Sequence, residues 1–499
     1  MTAPDKPEHF IRRHGLWSDT QEALAAEVQR RVEAEGIRLV RLAWTDTHGQ
    51  TRAKAVTPDA LRGALTDGYN INVATWTLDA SGGRVFASFT SGGGMGLAEM
   101  TGSPNIVAVP DPASFRVLPW APGIGWMLCD PYFRDGRPFH FGARHILRRQ
   151  VAALAEQGMA AIVGLEVEWY LLRLAQDGFD EENLARPGQR PLPPATIAPE
   201  PGFSYHSEAN MDLMQPVLSA LADAYAGLAL PLRSIENEWG AGQVECTFGP
   251  RDALQAADDF ILFRSATRQV CRRHGHLASF MCSPGAPSQY PSGWHLHLSL
   301  VQAAGGVNLF TPAQCDRLLS PVGRAFVGGL LAQAAPSLVF ATPTVNGYRR
   351  FRANSLAPDR AHWGHDNRGT MLRVLGGPGD PATRLENRVG EPAANPYLFV
   401  AAQILCGLDG LRRELEPPPP SENPYQDPAP PLPTSLVEAL EALQRSSLFR
   451  DGFGEVYLDY FLKLKRAELA RYDDWLAGSG VRPEDGVTEW ERREYLDAF

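Results

Sequence analysis
Cysteine is scarce and unorganised in this chain. The six cysteines, at 129, 246, 271, 282, 315 and 406, form no CxxC pair and no dense framework. That excludes a zinc ribbon and a disulfide scaffold, and it predicts a reducing compartment. The N-terminal stretch MTAPDKPEHFIRRHG has no apolar core, so it is not expected to act as a secretory signal. A long uncharged run lies between Arg324 and Arg349, but Gln333, Pro336 and Ser337 interrupt it. No membrane span is therefore expected. There is no GxxxxGK[ST] loop, and SGGGMG (91–96) lacks the lysine and following helix that a P-loop requires. Any nucleotide would have to be held by another architecture. Positive charge is not in excess, and a net charge of -10 argues against nucleic acid as the main partner. No internal repeat is visible. Together these absences predict a cytoplasmic protein.

What remains describes an ordinary globular chain, with 44% hydrophobic and 21% charged residues. At 499 residues, two or more domains are expected. SDTQEALAAEVQRRVEAEG (18–36) reads as a capped amphipathic helix, with Ser18 and Gln21 as a capping box and Gly36 as its stop. Residues 37–57 then read as strand, polar turn and strand. A short helix from Pro58 ends near Gly68, and strand-like pieces continue to about 120. From about 140 longer helices such as 143–158 alternate with single strands. The expected class is α+β, with a small domain over 18–120 and a larger one over 125–499. The proline-rich stretch 417–433 reads as an extended connector; a ligand for a proline-binding module is the alternative.

The chemistry begins at GLEVEWYLL (164–172), an apolar strand carrying Glu166 and Glu168. Side chains alternate along a strand, so both carboxylates share one face while Leu165, Val167 and Trp169 share the other. Two like charges on a buried face are costly without a cation; the alternative is a solvated edge strand. Similar pairs recur. Glu238 and Glu245 flank a glycine turn in IENEWGAGQVECTF, His295 and His297 alternate in SGWHLHLSL, and Glu386 and Arg388 alternate in RLENRVGEP. Each alone is more simply a satisfied core residue. Five carboxylates and two imidazoles on apolar strands call for divalent metal, and the oxygen-rich donor set suits Mg²⁺ or Mn²⁺ over zinc.

A second cluster is cationic. NGYRRFRANSLAP (346–358) and WGHDNRGTMLRV (363–374) supply Arg350, Arg368 and Arg373, followed by Arg388. Alone this is a solvated basic face. Beside a metal site, arginines can clamp phosphates and carboxylates bidentately. Metal, arginine and an anionic substrate are the components of phosphoryl transfer.

The order and spacing of these motifs resemble the glutamine synthetase family: ExE on a strand, E-x6-E with GQ before the second glutamate, SG-x-HxH, N-x-YRR, NR-x4-R, E-x-R and NPYL. The resemblance runs from about residue 20 to the final VTEWERREY. It implies a β-grasp N-terminal domain and a catalytic domain built as a funnel on antiparallel strands. It further implies that Glu168, Glu238 and Glu245 hold one metal and that Glu166, His295 and Glu386 hold a second. His297 and Ser299 would lie near ATP (a core histidine is the other reading of His297). Arg350 and Gly293 would bind glutamate, and Arg368, Arg373 and Arg388 would stabilise the phosphoryl group in transit. ATP would phosphorylate the γ-carboxylate of L-glutamate, and an amine would then displace phosphate. The family implies a ring-shaped homo-oligomer, often a dodecamer, with active sites at subunit interfaces.

The chain departs from the family where ammonium is bound. The family's N-terminal aspartate loop is replaced by GYNINVATWT (68–77), placing Asn72 at that position. The flap glutamate before an AP pair is replaced by Leu356 in SLAP. With both anions gone, the trap for a small cation is gone, and Leu356 and Trp76 are expected to offer apolar surface to a carbon-bearing amine. The departures resemble the γ-glutamylamide ligases, with an aromatic or small alkyl amine favoured over a dicationic polyamine. An authentic glutamine synthetase, a γ-glutamylpolyamine synthetase, a metal-dependent hydrolase and a non-catalytic relative remain the rival readings. A third departure is Ser283, where the family has lysine. Tyr425 falls near a tyrosine adenylylated in some members but reads more simply as a linker residue.

Overall fold
Ser18 opens the first long helix, Asp19–Ala34: its hydroxyl accepts from Gln21 N at 3.4 Å, and Gln21 Oε1 accepts from Ser18 N at 3.1 Å. This is the reciprocal box that the spacing predicts. Ala25, Val28 and Val32 form its buried stripe. In the computed structural model the described residues are 8–499 apart from 177, 180, 182, 183, 187, 353 and 354. MTAPDKP, part of the stretch from which no secretory signal is expected, lies outside them, as do Ala353 and Asn354.

The chain divides into two compact units. The first comprises 1–78, 84–145 and 227–229. Its hairpin, Leu39–Thr45 and Thr51–Val56, turns at Asp46, whose Oδ1 accepts from the amides of His48 and Gln50, each at 3.0 Å. Helix Pro58–Asp67 follows and stops at Gly68, where φ is +69° and an added Cβ would lie 2.3 Å from Val107. The sheet runs Thr51–Val56, Leu39–Thr45, Ile124–Tyr132, Asn105–Pro110, Tyr69–Asn72. Leu39–Thr45 and Ile124–Tyr132 pair in parallel and the other neighbours along that path pair antiparallel. This is the β-grasp-like arrangement expected. The expected boundary at 120–125 is displaced, because Ile124–Tyr132 is the middle strand of this sheet and carries the unit on to residue 145.

The second unit comprises 79–83, 146–226 and 230–499. Its spine is the 16-residue strand Met159–Leu174. Across the sheet the order is Trp363–His365, Leu372–Leu375, Arg384–Gly390, Trp294–Gln302, Met159–Leu174, Gln243–Phe248, Leu232–Asn237. All pairs along this path are antiparallel except Trp363–His365 with Leu372–Leu375. Leu165, Val167 and Trp169 are buried. On the apolar side Trp169 stacks on Phe280 at 6.0 Å, and Phe260 stacks on Trp294 at 4.1 Å. Helix Ala253–Arg273, which carries Phe260, packs there. The opposite face of the spine is left to Glu166 and Glu168.

No single helix among the described residues is long and apolar enough to cross a membrane; the uncharged run folds as Pro321–Ala332 and Ala334–Ala341, bent by 81°. The proline-rich stretch is pinned along its length: Pro418 O accepts from Trp363 Nε1, Pro424 O bonds His362 Nε2, both at 2.7 Å, and Tyr425 donates to Ala357 O at 3.3 Å.

In the first unit Arg144 is buried between two aspartates, donating to Asp130 at 2.8 Å and to Asp111 at 2.7 Å. Removing the guanidinium takes a cation away from two buried carboxylates. Arg144→Met is expected to cost about 3–5 kcal/mol, seen as an earlier urea midpoint; an unchanged midpoint would show that other groups already neutralise the pair.

Candidate active site
Register alone assembles the acidic face. Glu166 lies opposite His295 on one neighbouring strand and Thr247 on the other, while Glu168 lies opposite Glu245. Glu386 sits opposite His297 and, on its far side, Arg373. The side chains then converge. His295 Nδ1 is 2.7 Å from Glu166 Oε1 and 3.7 Å from Glu386 Oε1. His295 Nε2 is 3.9 Å from Glu168 Oε1. Ligand atoms of Glu166, His295 and Glu386 all lie within 4.8 Å of one another. His297 Nε2 lies 3.1 Å from Glu166 Oε2, and its Nδ1 accepts from Arg384 Nε at 3.2 Å. That second bond places the ring proton on Nε2, directed at Glu166. Ser299 continues the same strand face.

The two halves of this cluster differ in charge balance. Burial works against the Glu166 carboxylate, but hydrogen bonds from His295 and His297 hold its pKa well below the ordinary value. Glu386 is also lowered: burial opposes its charge, and Arg388 chiefly overcomes it. Arg373 Nη1 donates to Glu386 Oε2 at 2.9 Å, and Arg388 pairs with the other oxygen. The other half is under-compensated. Burial pushes Glu168 up from 4.5 to about 7, with Arg350 opposing. Burial and the charge of Glu168 push Glu238 to about 7. Burial and the charges of Glu166 and Glu168 push Glu245 higher still. Three hard oxygen donors in want of positive charge suit a divalent cation such as Mg²⁺ or Mn²⁺.

Sequence reasoning gave no role to Gln243, which helps to fix this geometry, whereas Gly293 and Arg350 were expected here through the family resemblance. Gln243 Nε2 bridges Glu168 Oε2 at 3.0 Å and Ser292 Oγ at 2.9 Å. Gly293 N donates to Glu168 Oε2 at 2.9 Å. An added Cβ on Gly293 would lie 2.6 Å from Arg350 Nη2 and 3.0 Å from His295 Nε2, so only glycine lets guanidinium and imidazole approach together. Arg350 is buried and donates to Gly390 O at 2.9 Å and Arg388 O at 3.2 Å. Arg368 is exposed in the turn after Trp363–His365, and its charge reaches the Tyr205 phenol. Buried polar residues at glycine turns were the available signal for Gln243.

The expected amine pocket needs correction. Trp76 is wholly buried in the first unit, 6.3 Å from Trp44 and edge-on to Phe139 at 5.1 Å. It is core and offers no open surface. Asn72 is exposed, but its amide is engaged locally: Oδ1 accepts from Ala74 N at 2.7 Å and Nδ2 donates to Ser103 O at 2.8 Å. Leu356 does expose apolar surface, 54% of it, on a backbone with φ +61°. That conformation is costly for leucine. Ser283, at the family's lysine position, is clasped by Asn346, which accepts from its amide at 2.7 Å and donates to its carbonyl at 3.0 Å.

Residues 141–495 match the catalytic domain of glutamine synthetase. The chain belongs to the glutamine synthetase family. It is 41% identical to gamma-glutamylanilide synthase of Acinetobacter sp, over 98% of both chains. It is 32% identical to glutamine synthetase of Mycobacterium bovis, over 94% of this chain and 98% of that one. Among solved structures it resembles GmaS without ligand, with a TM-score of 0.73 and 29% identity over 93% of this chain and 98% of that one. Members of the glutamine synthetase family use ATP and a divalent metal. The α+β fold and the order of its motif-bearing strands accord with this membership.

The raised carboxyls have a pH consequence. Between pH 4.5 and about 7 the folded chain retains protons on Glu168 and Glu238 that the unfolded chain has lost. Metal-free stability should therefore fall as pH rises through that window, by up to about 1.4 kcal/mol per group and pH unit. Mn²⁺ must displace those protons, so its stabilisation should be larger at pH 8 than at pH 6. Thermal unfolding with and without Mn²⁺ at both values tests this; equal metal-induced shifts would show that these carboxylates are not the ligands.

Proposed function
We propose that this chain is an ATP-dependent ligase that joins the γ-carboxylate of L-glutamate to an organic amine, aromatic or small alkyl, through a γ-glutamyl phosphate. Family membership alone is compatible with ammonium as well as organic amines. The observation that carries the choice is Leu356, an exposed apolar side chain where the family's flap has a glutamate.

A carboxylate is a poor electrophile, so it must first be activated. The γ-carboxylate attacks the terminal phosphorus of ATP, giving an acyl phosphate and ADP. A neutral amine then adds to the acyl carbon, the C–O bond to phosphate breaks, and the proton lost by nitrogen ends on the departing phosphate. Glu168, Glu238 and Glu245 would hold one Mg²⁺ or Mn²⁺, and Glu166, His295 and Glu386 a second. Divalent cations there supply neutralisation of phosphoryl and carboxylate charge. Arg350, beside Gly293, is assigned to the α-carboxylate of glutamate. Arg373 and Arg388, both directed at Glu386, would add positive charge where the phosphoryl group crosses, and Arg368 would join them from its turn. His297 and Ser299 are assigned to the ATP side.

An ammonium ion needs an anion to draw it in and take its proton. An aryl amine is neutral at pH 7 and needs neither, which suits a flap without a carboxylate. On the family resemblance we also assign a cytoplasmic, ring-shaped homo-oligomer whose active sites lie at subunit interfaces.

Phosphate release with ATP, glutamate and a panel of ammonium, methylamine, isopropylamine, putrescine and aniline, with products weighed by mass spectrometry, tests the reading. Aniline or a small alkylamine should exceed ammonium and putrescine, and activity with ammonium alone would overturn it. Leu356→Glu should move preference toward ammonium by about tenfold, or about 1.4 kcal/mol.

A further inference from the structure
The second unit displays aromatic surface that folding does not use. Trp239 directly follows Glu238, and its ring stacks on Tyr205 with 5.0 Å between centroids and 6° between planes. Tyr205 also stacks on His206 at 3.8 Å and 23°. Yet Trp239 and Tyr205 remain 44% and 45% exposed. Phe203 on the same segment is 92% exposed at φ +73°, a conformation that bulky residues rarely adopt without a functional constraint.

The arrangement is fastened in place. Phe203 N donates to Trp239 O and His206 N to Asn237 O, both at 3.1 Å. His206 Nε2 lies 3.1 Å from Glu236 Oε2. Gly202 allows this close approach, since a Cβ there would lie 2.7 Å from Ala241 N, and Gly240 seats the turn itself, where a Cβ would lie 2.3 Å from the Tyr170 hydroxyl. Segment 202–206 is thus buttoned to the turn that bears Glu238. Trp239 N–H donates to the Glu238 carboxylate, and the charges of Glu238 and Glu245 reach the Tyr205 phenol. Rings and carboxylates share one neighbourhood.

We propose that the open surface of the Trp239–Tyr205 stack receives the apolar body of the amine and selects ring-bearing amines over ammonium. The inference rests on the ligase reading above and names the residues that would set its acceptor specificity. A flat aryl amine gains offset stacking on the indole or phenol. Ammonium has no ring to stack and could gain only a cation–π contact, which makes the two distinguishable.

The test is steady-state kinetics of the full chain with Mg²⁺, ATP and glutamate, varying aniline or ammonium, for wild type, Trp239→Ala, Trp239→Phe and Tyr205→Ala. Trp239→Ala should raise KM for aniline about tenfold, or about 1.4 kcal/mol, with Trp239→Phe within about threefold of wild type. KM for ATP and glutamate should not move. If Trp239→Ala loses its circular dichroism, Tyr205→Ala is read in its place. An unchanged aniline KM, an equal rise for ammonium, a joint rise for all substrates, or a change of assembly by light scattering would each overturn the inference. If wild type turns over aniline but the variants do not discriminate, only the platform falls. If wild type accepts ammonium alone, the platform and the ligase reading fall together.

Discussion
Glu168 and Glu245 face each other across one antiparallel pair, and like charges directly opposite destabilise a sheet. The neighbourhood makes the repulsion worse, since Glu238 lies beside them and all three are largely withdrawn from water. Folding tolerates the cluster because the reverse face of the same strands buries large apolar side chains. Val167, Trp169, Val244 and Trp294 are fully buried there. Alternation couples the two outcomes. Along the spine Leu165, Val167 and Trp169 behind alternate with Glu166 and Glu168 in front, so a strand that builds the core also builds the acidic face. A one-residue slip of the spine would exchange core and site, and so the hydrophobic packing enforces the register of the carboxylates.

Repulsion is resolved differently in the two halves of the cluster. Around Glu166 and Glu386 the protein supplies its own compensation: two imidazoles reach Glu166, and Arg373 and Arg388 reach Glu386. Around Glu168, Glu238 and Glu245 the compensation is Arg350, which makes no ion pair with them, a Gly293 amide and a Gln243 amide. Neutral donors stabilise a carboxylate less than a cation does. A fold with this division holds one half in working order on its own and leaves the other dependent on what binds.

Much of this was legible in the sequence because period-2 alternation is a local signal. ExE, HxH and E-x-R each declare a shared face without knowledge of the fold, and their apolar neighbours declare strands. What alternation cannot declare is which strand lies beside which. That Glu245 opposes Glu168 while His295 opposes Glu166 follows from pairing between residues far apart in the chain, and it entered the sequence reading only through family resemblance. Gln243 was similarly opaque, since a turn glutamine acquires meaning only once Glu168 is near it, and Gly293 was placed only through the family resemblance. Trp76 failed for a different reason. Its aromatic character and its place after Asn72 are the same in a pocket wall and in a core, and only its packing between Trp44 and Phe139 decides. The middle strand Ile124–Tyr132 misled on the domain boundary because a strand returning to an earlier sheet carries no mark of which sheet it joins.

The exposed ring stack and the exposed Leu356 can be considered together with the acidic cluster. An ammonium ion would be drawn toward carboxylates wherever they lie uncompensated, so Glu168, Glu238 and Glu245 alone would favour ammonium over a neutral amine. A divalent cation reverses this preference, because carboxylates already committed to a metal present little net charge to a monovalent competitor. On the proposals made above, what would then distinguish one amine from another is a leucine without charge and two stacked rings with an open face. On such a surface an ammonium ion would shed hydration for little return, while an aryl amine would shed only apolar hydration, which is favourable. The same carboxylates would thus favour opposite acceptors with and without metal, and the apolar residues matter only once the charge has been cancelled.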